Sequence, residues 1–126
     1  MEKESNYAFA ERMKKRTKDF GLRVIRVFQA LPRTEEARVI GKQALRSATS
    51  VAANYRAACR ARSAAEFASK INVVLEEADE TQFWLEMLEE AGIVPASRLV
   101  QLHQEAAELT AILTIARKNA IKKKCN

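Results

Sequence analysis

Along this chain apolar residues recur at alternating steps of three and four, and four stretches hold that rhythm for several turns. Such a seam buries one face of a helix against its neighbours, so the pattern predicts helices over about 5–31, 34–61, 64–91 and 95–121. The first seam runs through Phe9, Met13, Phe20, Val24, Val27 and Leu31. The third holds Phe67, Ile71, Val74, Ala78, Thr81, Leu85 and Leu88, and the fourth Leu99, Leu102, Ala106, Leu109, Leu113, Ala116 and Ala120. The second is different in kind: Ile40, Ala44, Ser47, Val51, Asn54 and Ala58 are mostly small or polar.

Three glycines and two prolines punctuate the chain at the places where these helices should stop. Pro32 follows the first helix and Thr34 is a natural N-cap for the second. Ser63 and Glu66 have the spacing of a capping box, Gly92 suits a helix C-terminus, and Pro95 suits a first turn. Connections this short force neighbouring helices to run antiparallel. The expected fold is therefore all-α, one domain of 126 residues folded as an up-down-up-down four-helix bundle, with a basic tail fraying from about residue 122.

Small side chains on the second helix let backbones approach closely, with Ser and Asn bonding across to neighbours. Its arginines need another account. Arg38, Lys42, Arg46, Arg56 and Arg60 fall within an arc of about 80° opposite the seam, along about 33 Å of helix. That length compares with the roughly 34 Å of one duplex turn. A solvated face, or one paired with acids on a neighbour, produces the same stripe.

Charge is segregated along the chain. Residues 1–62 hold 15 Lys and Arg against 6 acids, whereas 63–116 hold 2 against 10. From 117 onward Arg117, Lys118, Lys122, Lys123 and Lys124 meet no acid. Such polarity suits attraction of a phosphate backbone, or docking of identical subunits basic face to acidic face. A second apolar surface favours an oligomer: Phe83, Trp84 and Met87, with Leu22, Ile25 and Phe28, lie outside the main seams. Deeper burial within a monomer is the competing explanation.

The chemistry of catalysis is hard to place. His103 is the only histidine and lacks an ExxH or HExxH partner, so a bundle-core metal site has no imidazoles. Glu76, Asp79, Glu80, Glu86 and Glu90 fall opposite the third seam instead of converging; a carboxylate-bound metal enzyme is the minor alternative. Cys59 reads as a small buried residue, since no base accompanies it, and its distance from Cys125 in sequence argues against a disulfide framework. No glycine-rich phosphate loop occurs, no apolar run approaches the roughly 20 residues of a membrane span, and the charged N-terminus does not read as a secretory signal. The expectation is a cytoplasmic protein with no cofactor, no metal, no membrane association and no enzymatic activity.

Three segments carry a family resemblance: "LRSATSVAANYRAA" over Leu45–Ala58, then "RARSAAEF", then "EEADETQFWLE". With "FGLRVIRVFQALPRT" before them, they resemble the bacterial four helix bundle proteins, also called 23S rRNA intervening-sequence proteins, over about residues 17–117. Ala48 stands where relatives commonly carry glycine. The resemblance implies an up-down bundle assembled as a homo-oligomer, in the known case a pentameric ring. Some members are encoded within an insertion in the large ribosomal RNA gene, and distant relatives bind nucleic acid as accessory proteins to retroelement reverse transcriptases. No catalytic residues carry over.

Two functional expectations result. In the first, a self-associating adaptor contacts RNA or DNA through Arg38, Lys42, Arg46, Arg56, Arg60, Arg117, Lys118, Lys122 and Lys123. In the second, an interaction scaffold, open to a protein partner, pairs the same arginines with Glu76, Asp79 and Glu80 of the next subunit.

Overall fold

The computed structural model describes residues 4–125, and side chains as far as Lys122. Four helices follow one another: α1 (Asn6–Gln29), α2 (Glu35–Ala58), α3 (Ala64–Glu90) and α4 (Ala96–Cys125). Each begins or ends where the local chemistry satisfies the open backbone groups. Ser5, Thr34 and Ser63 cap the first three, each hydroxyl accepting the amide proton of the residue three further on. The box at Ser63 is only half made. Glu66 does not turn back to the cap; its carboxylate stands 3.7 Å from Arg62, where an opposite charge is nearer than the cap amide's partial one.

At the end of α3, Gly92 takes φ +71° and lets the chain reverse. Ile93 then donates to Leu88 O at 2.9 Å and Gly92 to Glu89 O at 3.0 Å, which closes the last carbonyls in a Schellman motif. α4 runs past the expected end at 121, through Cys125. Nothing after Pro95 is a glycine or proline, and lysines at a helix C-terminus favour continuation.

The helices form an antiparallel four-helix bundle. Gly21 faces Ala48 and Phe28 faces Gly41 across α1/α2, and Asn72 faces Arg117 while Glu89 faces His103 across α3/α4, so position falls on one helix as it rises on the next. α2 packs most extensively against α3, followed by α3 on α4 and α1 on α2, while the α1/α4 seam is thin. The core holds Phe20, Val24, Val51, Ile71, Leu85, Leu99 and Leu109 from the expected seams, joined by Ala48, Tyr55 and Val94 from outside them.

α2 departs from its expected seam. Its buried face is wider, taking in Ala37, Gly41, Ala48 and the fully covered Tyr55, while Ile40 and Asn54 sit at the margin. Asn54 bonds back to Ser50 of its own helix and reaches no neighbour. Ser47 does bond across: its hydroxyl lies 2.8 Å from that of Thr81 on α3. Each hydroxyl also has a carbonyl of its own helix in range, Ala44 for Ser47 and Glu77 for Thr81, so one donates to the other and the recipient donates to a carbonyl.

Gly41 explains where Phe28 goes. A Cβ at this position would lie 3.0 Å from the Phe28 ring and overlap Leu31, so the missing side chain is what lets both fold down over α2. Phe28 is accordingly half-buried.

Candidate nucleic-acid interface

The five cations of the α2 stripe are all exposed, yet they do not share one environment. Arg46 leans toward α3, with Nη2 2.9 Å from Glu80 and Nη1 3.3 Å from Glu77 of the same chain. Burial pushes the Glu77 carboxyl above its ordinary range while Arg46 opposes that rise. Arg46 is thus occupied at the α2/α3 seam. Arg38, Lys42, Arg56 and Arg60 form no ion pair among the described residues.

Arg56 and Arg60 meet a second source of charge that the α2 stripe alone does not reveal. Together with Lys14, Lys15 and Lys18 of α1 they line a groove of about 450 Å³ along the outer α1/α2 seam, with Glu11 as the one acid. Glu11 is engaged by Lys14, which holds its carboxyl below the ordinary value. Four cations are left without an internal partner: Lys15, Lys18, Arg56 and Arg60. The signal for the lysines was present in "RMKKRTKD", whose cations fall outside the α1 seam. Its meaning depends on α1 and α2 being adjacent basic helices. Ala52 and the half-buried Cys59 complete the wall, and no aromatic side chain enters it. Such a surface can neutralise phosphates but offers no base a stacking platform.

The C-terminal cations divide as well. Arg117 is half-buried and donates from Nη1 to Asn72 of α3 at 2.6 Å, so it bridges two helices of the bundle. Its Nε is enclosed without a partner. Lys118 and Lys122 are exposed, and the side chain of Lys123 lies outside the described residues, as does that of Lys124.

Of the outer apolar residues, Leu22, Phe83 and Met87 are exposed, at 43%, 49% and 38%. Ile25 and Trp84 are half-buried, and Trp84 packs on the core with Phe83 edge-on at 4.9 Å. The seam between α1 and α4 is closed midway by Arg16, which binds Glu105 through two parallel contacts of 2.7 and 2.8 Å. Beyond it, toward the N-terminus of α1, the seam opens into an apolar cavity of about 600 Å³ lined by Phe9, Tyr55, Phe67 and Ile112. Among the described residues no group of three His, Cys, Asp or Glu side chains could hold a metal ion. No described helix is long and apolar enough to cross a membrane.

An antiparallel four-helix bundle with a cationic groove along one seam is the class that fold and site define. Residues 11–115 match the 23S rRNA-intervening sequence protein family, and the chain belongs to that family. Among solved structures it is similar to a protein of unknown function from the S23 ribosomal protein family of Bacteroides thetaiotaomicron. The two share 32% identity with a TM-score of 0.78, over 83% of this chain and 97% of that one. No curated protein matches the chain.

Proposed function

We propose that this protein is a cytoplasmic, non-enzymatic, self-associating adaptor that holds nucleic acid by its phosphates, with the α1/α2 groove as the contact. The observation that carries the reading is the set of four cations, Lys15, Lys18, Arg56 and Arg60, gathered in one groove without internal partners. A groove with five cations and Glu11 as its one acid is an electrostatic funnel for a polyanion. A family named for rRNA intervening sequences makes structured RNA a reasonable ligand beside duplex DNA. Lys42 and Arg38 extend the track along α2; Lys118 and Lys122 add charge at the far end of α4. Arg46 and Arg117 are structural and drop out of the contact set.

Self-association is supported by Leu22, Phe83 and Met87, large apolar side chains left in water. The family resemblance favours a pentamer. Pairing of the arginine stripe with Glu80 of a neighbour is weakened, because Arg46 of the same chain already holds that carboxylate.

Fluorescence anisotropy of a labelled 20-base-pair duplex, at low salt, is the direct test. Binding that weakens steeply with ionic strength and is abolished by Arg56→Glu with Arg60→Glu is the expected result. No binding at low salt overturns the proposal.

A further inference from the structure

The α1/α2 groove is not the only place where cations gather unopposed. On the other flank of α1, at the end where α4 begins, Arg23 and Arg26 of α1 share a groove of about 370 Å³ with Arg98 of α4. Ser97 and Gln101 add a hydroxyl and an amide, and Val27 and Leu102 line the same groove with apolar surface. No carboxylate lines it, and none of the three arginines makes an ion pair among the described residues. The contrast lies along the same seam: Arg16, two to three turns nearer the N-terminus, is doubly bound to Glu105.

Three arginines lining one groove without an anion repel one another, and the arrangement gains most from a ligand carrying several negative charges in a small volume. Guanidinium forks match phosphate oxygens in pairs, which compact ammonium groups do not. The first turn of α4 adds partial positive charge at the same spot, as Ser97 and Arg98 belong to it. A volume of this size exceeds one phosphate, and the apolar lining suits the less polar body of a small ligand.

We propose that the α1/α4 groove binds a pyrophosphate group, carried by a nucleoside polyphosphate or by a triphosphorylated RNA end. The site uses residues separate from the α1/α2 groove, so either can fail alone.

Isothermal titration of the full-length protein with inorganic pyrophosphate, at low ionic strength, is the primary test. Saturable binding is expected, weakened about tenfold or more by each of Arg23→Gln and Arg98→Gln. Arg98→Lys keeps the charge but loses the fork, and should fall between. Circular dichroism checks that each variant is folded, and the Arg98→Lys result stands if a glutamine variant is not. Comparing ATP with a 5′-triphosphorylated and a 5′-hydroxyl oligonucleotide of one sequence then separates the two sources. Absence of saturable binding by the wild type overturns the proposal. So does an equal loss from Arg56→Gln with Arg60→Gln, which would mark a diffuse cationic surface instead of a site.

Discussion

Neutralising two arginines in the α1/α2 groove should change not only how tightly nucleic acid binds but how that binding responds to salt. Four cations there lack internal partners: Lys15, Lys18, Arg56 and Arg60. Each phosphate neutralised on duplex DNA contributes about 0.9 to the slope of log affinity against log salt, so full engagement gives a slope near −3.6. Between about 50 and 200 mM salt the wild-type affinity should then fall roughly 150-fold. With Arg56→Gln and Arg60→Gln two contacts remain, the slope halves to about −1.8, and the same change in salt weakens binding only about 12-fold.

The internal control is Arg46, on the same helix and in the same stripe. Its guanidinium is held by Glu77 and Glu80, so Arg46→Gln should leave the slope unchanged. Anisotropy of a labelled duplex across a salt series reads all three proteins, and surface changes of this kind leave stability within about 0.5 kcal/mol. A slope for Arg46→Gln reduced as far as that of the double variant would refute the reasoning. It would mean that the internal pairs exchange freely for phosphate and that helix position, not partner, decides.

Four further outcomes follow from the packing. Arg16→Ala leaves Glu105 without its partner at the thin α1/α4 seam and should destabilise by about 1–2 kcal/mol, or roughly 4–8 °C in Tm for a chain of this length, whereas the exposed Arg12→Ala should change little. Ser47→Ala and Thr81→Val should be subadditive in urea melts, with a coupling of up to about 1 kcal/mol, because either change alone already removes the bond the two hydroxyls share; strict additivity would deny the shared bond. Burial and the adjoining Cys59 thiol push the Tyr55 phenol up from 10.0, so above that pH the unfolded chain loses its proton while the folded one keeps it. Stability should fall there by up to about 1.4 kcal/mol per pH unit, a slope that Tyr55→Phe removes. Phe83→Ser with Met87→Ser should shift light scattering toward a smaller species, and an unchanged mass would place any self-contact elsewhere.

Sequence pattern alone located all four helices, the caps at Thr34 and Ser63, the stop at Gly92 and most of the core, because a seam of large apolar residues and a few prolines and glycines are strong local signals. On α2 it was incomplete, because alanine says little about direction: Ala44, Ser47, Val51 and Ala58 are buried as expected, but so are Ala37, Ala48 and Tyr55. Nor does anything local show that Gly41 leaves room for the Phe28 ring from the preceding helix. For the site, the stripe on α2 was legible from helical geometry, but its division into engaged and available cations was not. That division depends on the neighbour each residue meets, and spacing along one helix does not supply the neighbour.

Helix order and charge together do supply it. α1 and α2 carry an excess of Lys and Arg and α3 an excess of acid, while α4 holds its acids, Glu105 and Glu108, between Arg98 and the basic run from Arg117 onward. In an up-down ring, α2/α3 and the middle of α1/α4 therefore join unlike charges, and there Arg46 meets Glu77 and Glu80 while Arg16 meets Glu105 and Glu108. Along α1/α2 both helices are basic, and the groove there holds no carboxylate except Glu11, already held by Lys14. The groove at Lys15, Lys18, Arg56 and Arg60 is thus a consequence of topology acting on a segregated charge pattern. Arg98 yields the second groove: a cation at the start of α4, ahead of Glu105 and Glu108, set against Arg23 and Arg26 where a glutamate would have paired with them. Exchanging it for one, Arg98→Glu, should close that end of the seam as Glu105 closes the middle, raising Tm while erasing any response to pyrophosphate.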